Sequence, residues 1–260
     1  TRSRTLLLIT ISSGFRALQK TGWLLLSFFL DLLEAFVMTN NSRDNAQGQP
    51  IDEVGESIGL LEGIRTTRAI RRLKPDPVPI ELVKKVCEAG TFAPSGGNRQ
   101  PWMFVAVTDP EKRAQIATLY REVFDAYIAP AVEAARHPGY PEAKRKNMRA
   151  AMYLAAHLHE APVHLFVAGW TRRGAPQSQA LFPAIQNVLL ACRAVGLGAS
   201  LTTAHRGHGE AIDQLIGLDP IKTPSIALIP IGWPRGRYGK PTRRSIDTCF
   251  FVDSAKPVSE

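Results

Sequence analysis

The sequence predicts an α+β domain, on three observations. Residues 102–107, 162–168 and 224–233 are apolar over the length of a strand with hardly a polar break, the pattern of strands buried on both faces. Between these runs lie longer stretches whose apolar residues recur at intervals of three and four, the helical period. With 260 residues and 45% hydrophobic content, the chain can bury a sizeable core, as one large domain or a compact domain with extensions.

Residues 1–57 read differently from the rest. Leu6 to Ile11 and Trp23 to Val37 are apolar, but Asp31 and Glu34 interrupt the second run. A membrane span needs about 20 apolar residues, and a signal peptide needs a small-residue cleavage site, so neither is expected. The first methionine is Met38, followed by the polar run Thr39 to Pro50. The natural start is therefore expected at Met38, with 1–37 upstream or artefactual sequence, 1–57 a non-core extension and 58–260 the folded domain.

The domain opens with Leu60, Leu61 and Ile64, a short helical pattern that leads to Arg65, Arg68, Arg71 and Arg72. Their spacing of three or four would let at least three converge on one dianion if the helix continued through them. Pro79 starts the next helix, with Glu81 favourable to its dipole and Ile80, Val83, Val86, Cys87 and Gly90 on its packed side. The loop from Ala93 to Trp102 is dense in special residues. Gly96 and Gly97 permit close approach to the main chain, and Ser95, Asn98 and Gln100 offer short donors and acceptors suited to the polar edge of a heteroaromatic ring.

Asp109 and Pro110 start a helix with the stripe Ile116, Leu119, Tyr120, Val123, Phe124 and Tyr127, which Pro130 interrupts. Residues 136–147 read as a charged loop with two prolines, and 148–160 as helix. Ser178 to Val195 is apolar around so much of its circumference that it must be buried, in the core or in a subunit interface; Gly196 ends it. Ile246 to Val252 is expected as a last strand or extended arm.

A net charge of +9 draws anions, whether nucleotide cofactors, nucleic acid or an acidic membrane. Aromatics are not interleaved with the arginines and no recognition motif occurs, which disfavours a basic nucleic-acid-binding module, the alternative of another class. Three widely spaced cysteines point to reduced thiols and a cytosolic chain. His157, His159 and His164 lack the spacing of a metal site. The sequence holds no GxGxxG, Walker loop or nucleophile elbow.

Taken in order, the arginine segment, the entry Pro77-Val-Pro79, the loop Ala93-Pro-Ser-Gly-Gly-Asn-Arg-Gln-Pro-Trp102, Gly196-Leu-Gly-Ala-Ser-Leu-Thr-Thr203, Ile229-Pro-Ile-Gly-Trp-Pro234 and Lys240-Pro-Thr-Arg-Arg-Ser-Ile246 resemble the FMN-dependent nitroreductase family over roughly residues 58–253. The resemblance implies a three-layer α/β/α fold, a mainly antiparallel central sheet flanked by helices, and a homodimer with the helix at 178–195 at its heart. It implies FMN as cofactor and NADPH or NADH as donor. Arg68, Arg71 and Arg243, with Arg72 or Arg244, would hold the phosphate. Pro94, Ser95, Gly96 and Asn98 would meet the isoalloxazine from the opposite subunit, with Gln100 on the same loop. Leu201, Thr202 and Thr203 would turn backbone N–H groups toward flavin N5, and the charged stretch 136–147 would cover the flavin and help select substrates; its Lys and Arg allow contact with a nicotinamide phosphate, but a solvated surface loop is the favoured reading.

No catalytic side chain is expected, because the flavin carries the chemistry. The implied reaction passes hydride from NAD(P)H to a small electron-poor acceptor such as a nitroaromatic or quinone. Dehalogenation, enone reduction and flavin fragmentation are the alternatives on the same fold. One departure stands out: the family's Arg-Arg-Ser-x-Arg is here Thr67-Arg-Ala-Ile-Arg71, with an arginine and a serine missing. Either phosphate affinity falls or Arg65 and Arg72 compensate.

Overall fold

The computed structural model describes residues 58–172, 175, 176 and 178–255, so the expected extension at 1–57 lies outside the described residues. Helix α1 (Leu60–Thr66) is followed by an extended segment and then by α2 (Ile80–Thr91), whose first turn follows Pro79. Next come β1 (Trp102–Val107), α3 (Pro110–Ala134), α4 (Glu142–Ala156) and β2 (Val163–Gly169). A two-stranded ribbon, β3 (Thr171–Arg172) and β4 (Ala175–Pro176), precedes α5 (Ser178–Ala194), β5 (Gly198–Ala199), α6 (Gly209–Leu215) and β6 (Ser225–Gly232).

The main sheet has the order β1-β2-β6-β5 and every neighbouring pair is antiparallel. Its two central strands, β2 and β6, are buried along their whole length. Because strand side chains alternate, Leu165, Val167, Ala227 and Ile229 pack against α2 and α5 through Val83, Val86, Ile185 and Val188. Phe166 and Leu228 point the other way, into Ile116, Tyr120 and Phe124 of α3, Leu154 of α4 and Ile212 of α6. This is the expected α+β arrangement in three layers, and each fully buried side chain of this size contributes roughly 1.5–3 kcal/mol.

Several local expectations need correction. β1 pairs only with β2 among the described strands, so it is an edge: Met103 to Val105 are half-buried and Ala106 is exposed. Pro130 does not end α3, which runs 25 residues through it. Pro130 and Ala126 are both exposed, so water can serve the carbonyl that the proline leaves without a donor. The charged stretch 136–147 is a loop only as far as Pro141, which caps the start of α4. Ile80 and Tyr127 are exposed, on the open ends of their stripes. Ile246 to Val252 forms no strand but an exposed arm with one 3-10 turn, Ile246–Thr248.

Cys192 is buried, Cys87 half-buried and Cys249 exposed, all free. Burial pushes the Cys87 thiol up to about 12. Among the described residues no helix is long and apolar enough to cross a membrane.

Candidate functional site

The arginine segment is not helical beyond Thr66. It lies extended against the end of the sheet, with Ile70 N donating to Ala199 O at 2.9 Å, Lys74 N to Trp233 O at 2.7 Å and Arg235 N to Arg72 O at 2.9 Å. Ile70 and Leu73 anchor it, and both reach Gly198: a Cβ there would stand 2.7 Å from Leu73 Cδ2 and 2.9 Å from Ile70 Cγ2. Glycine at 198 therefore sets how closely the arginines approach β5.

In this extended form the arginines part company, and the helical convergence expected from their spacing does not occur. Arg68 lines a cavity of about 290 Å³ together with Arg243, Thr67, Ala69, Ser200, Leu201 and Tyr238, closed on one side by Gln186 and Leu189 of α5. Arg71 is half-buried and does not line the cavity, and burial draws its guanidinium below the ordinary arginine value. Arg72 lies over the ring of Tyr153, 4.5 Å from its centroid, and does not line the cavity. Arg244 is exposed and outside the cavity wall, and Arg65 is likewise exposed.

Among the described residues no carboxylate lines the cavity. Arg68 Nη2 donates to Arg237 O at 2.8 Å and Arg243 Nη1 to Thr242 O at 3.0 Å, which leaves each planar guanidinium further donors. Ser200, 1% exposed, has a hydroxyl with no hydrogen-bond partner among the described residues. A buried hydroxyl left without a partner costs about 1–3 kcal/mol, and Ser200 borders the same cavity as the two arginines. Sequence reading missed Ser200; its only signal was its place between Ala199 and Leu201.

Past Ser200, Leu201 contributes to the cavity wall while Thr202 turns away. The Thr202 N–H donates to Leu228 O at 2.9 Å, and its Oγ1 lies 2.9 Å from Tyr120 Oη. That N–H is thus committed to β6 and does not face a ligand as expected. Thr203 is exposed and opens the 3-10 turn Ala204–His208.

The loop before β1 stands apart from this cavity, as none of Pro94, Ser95, Gly96, Asn98 or Gln100 lines it. It is tightly shaped all the same. Gly97, Asn98 and Gln100 have φ of 61°, 50° and 47°, and the Gln100 N–H donates to Ser95 Oγ at 3.0 Å. Glycine and asparagine adopt this region readily, whereas Gln100 stores about 1–2 kcal/mol of strain there.

The basic stretch after α3 is largely occupied with its own structure. Arg145 donates to the carbonyls of Ala135, His137 and Tyr140, closing the turn, while Arg136 pairs with Glu133 and Arg149 with Glu142. Among the described residues no cluster of three His, Cys, Asp or Glu is placed to hold a metal.

Residues 64–233 match the Nitroreductase family. The chain belongs to the nitroreductase family. Among curated members it is 29% identical over 188 residues to the 5,6-dimethylbenzimidazole synthase of Rhodospirillum rubrum, covering 70% of this chain and 85% of that protein. It is 29% identical over 194 residues to an NADH dehydrogenase of Thermus thermophilus, covering 68% and 87%. To an iodotyrosine deiodinase of Daphnia pulex it is 25% identical, covering 71% of this chain but only 62% of that protein. Its fold is similar to that of a candidate nitroreductase from Desulfovibrio desulfuricans solved in complex with FMN, with a TM-score of 0.57 and 24% identity over 77% of this chain and all of the other.

Within this nitroreductase family member the residues present fit the phosphate end of FMN: two guanidiniums on one cavity wall and, among the described residues, no opposing carboxylate. The missing arginine and serine at Thr67 and Ala69 fall on the cavity wall itself. Arg72 does not make up for them, since its guanidinium is held over Tyr153.

Proposed function

We propose that this chain is an FMN-dependent oxidoreductase that takes hydride from NADPH or NADH and delivers it to an electron-poor small molecule such as a nitroaromatic or quinone. One observation carries the reading: Arg68 and Arg243, from opposite ends of the domain, line one cavity together with Ser200, and among the described residues no carboxylate lines it. When bound, FMN supplies the redox chemistry, taking up and returning hydride at N5.

The chain's own work is binding and charge placement. Arg68 and Arg243 grip the phosphate, and Ser200 gives its hydroxyl proton to a phosphate oxygen. Arg71 is half-buried and has no carboxylate paired to it among the described residues, so its positive charge stays unneutralised in the extended segment after α1. Ala199 and Leu201 add an apolar part to the wall beside the two arginines.

A cavity of about 290 Å³ sits at the lower edge of the usual ligand-pocket range of roughly 300–1,000 Å³. The ring therefore needs a second wall, which the shaped loop Pro94 to Gln100 of another copy supplies in a homodimer. Leu60, Leu61 and Ile64 of α1 are 74%, 62% and 51% exposed, and Phe250 and Val252 of the C-terminal arm are exposed too, an apolar surface that a second copy would cover. The similarity to an NADH dehydrogenase supports a nicotinamide donor. We place the protein in the cytosol, with no nucleic-acid or membrane partner.

The similarity to a 5,6-dimethylbenzimidazole synthase supports a second reading, in which the flavin itself is consumed. The test is an anaerobic absorption spectrum with FMN bound, before and after NADPH and NADH, followed by air and a nitroaromatic or quinone. Bands that bleach with a nucleotide and return with the acceptor support the reductase. Bands that are lost for good on aeration favour the second reading, and a protein that takes up no FMN overturns both.

A further inference from the structure

Both cavity arginines depend on one strap of chain, residues 235–243. Arg243 lies on it, and its Arg237 carbonyl accepts from Arg68. The strap is fastened at its start by Arg235, whose N–H donates to Arg72 O and whose Nε donates to Leu73 O, each at 2.9 Å, and beside the arginines by Tyr238, which lines the same cavity, packs against the cluster of Ile70 and Leu73, and donates its hydroxyl to Leu197 O. Burial pushes this phenol upward, so it stays a protonated donor throughout the physiological range.

Arg193, in the last turn of α5, sits over the Tyr238 ring with Cζ 4.5 Å from the centroid. Its Nε donates to Thr66 Oγ1 at 3.0 Å, and Thr66 in turn donates to Glu62 O at 2.7 Å. Among the described residues no carboxylate pairs with Arg193. A basic residue in a helix's last turn is favoured by the helix dipole alone, but that role requires neither the stacking on Tyr238 nor the bond to Thr66. These two contacts tie together the three pieces that frame the cavity: the end of α1, the end of α5 and the strap.

We propose that Arg193 is a positioning residue for the flavin phosphate: stacked on Tyr238 and bonded to Thr66, it fixes the strap so that Arg68 and Arg243 stay convergent, and its unneutralised charge behind the cavity wall offsets the arginine replaced by Thr67. The inference rests on the reading of Arg68, Arg243 and Ser200 as a phosphate site. It assigns the stabilising charge to a residue outside the family's usual basic segment.

The experiment compares FMN with riboflavin, which has the same ring and no phosphate, by fluorescence titration of the full chain. In the unsubstituted protein FMN should bind far more tightly than riboflavin; equal affinities would overturn the phosphate site itself. Arg193→Gln and Tyr238→Leu should each weaken FMN about tenfold while leaving riboflavin affinity unchanged. Arg193→Lys, which keeps the cation over the ring, should recover part of the loss. If FMN and riboflavin weaken together and the melting temperature falls in step, Arg193 serves only the fold and the proposal is overturned; unchanged FMN affinity in Arg193→Gln overturns it as well. Should Tyr238→Leu fail to fold, Arg193→Gln and Arg193→Lys decide the question alone.

Discussion

Arg68 donates from Nη2 to the carbonyl oxygen of Arg237 at 2.8 Å, across 169 positions of sequence. This bond closes the basic cavity by bringing the segment after α1 against the strap that carries Arg243. Replacing either guanidinium removes charge-assisted bonds worth about 1.5–3 kcal/mol, so Arg68→Ala and Arg243→Ala should each weaken FMN binding roughly 10- to 100-fold. Both side chains are exposed, so circular dichroism and melting temperature should stay near those of the parent. Equilibrium dialysis reads the affinity, and unchanged occupancy in both variants would remove these residues from the site.

Gly198 supplies a second handle on the same geometry. Its missing side chain is what lets Leu73 and Ile70 come close, with a hypothetical Cβ only 2.7 Å and 2.9 Å from their methyls. Gly198→Val should cost about 1–3 kcal/mol through overpacking and also displace the arginine segment. Melting temperature and FMN affinity are expected to fall together. Gly236 has open space around it, and Gly236→Ala should leave both unchanged.

The strands and most helices were legible because their signals are local. The apolar runs gave β2 and β6, Asp109-Pro110 gave the start of α3, and Gly196, with φ 77°, closes α5 as expected. What the sequence concealed was set by neighbours. The arginines had helical spacing, yet hydrogen bonds from Ile70 to Ala199 and from Lys74 to Trp233 stretched that segment out and separated Arg71 and Arg72 from Arg68. Pro130 reads as an interruption of the apolar stripe, but at an exposed position the helix absorbs it. Ser200 could not be singled out from sequence because its distinction is a lack of partners, which only packing reveals.

The exposed apolar side chains of α1 yield a prediction about assembly. Leu61 and Ile64 lie on the helix that feeds the arginine segment, and Ile64 also lines the cavity. A charge placed at an apolar contact between copies must lose water without gaining a partner, which disfavours association by several kcal/mol. Leu61→Glu should therefore convert a dimer into a monomer by light scattering and, because the second wall of the site leaves with the other copy, reduce bound flavin. A parent protein that is monomeric with full flavin would contradict a shared site.

Two buried histidines make stability depend on pH in a defined window. His164 lies within β2 with Nε2 2.8 Å from Leu158 O and Nδ1 without a partner among the described residues. His205 packs edge-on to Phe166, with Nε2 3.2 Å from Ser225 Oγ, which itself donates to Asp213 at 2.5 Å. Desolvation pulls both imidazoles down to about 4. Above about pH 6.5 each is neutral whether the chain is folded or not, and stability is unaffected. Between about 6.5 and 4 only the unfolded chain takes up these protons, so stability falls as pH falls, by up to about 3 kcal/mol for each histidine. Asp213 acts in the opposite direction, because burial raises its carboxyl and the folded state binds that proton more tightly as pH drops. The net expectation is a loss between pH 6.5 and 4.5, read by denaturant unfolding at fixed ionic strength. His205→Phe should flatten that slope; a slope unchanged in His205→Phe would mean that this imidazole protonates in the folded protein without cost.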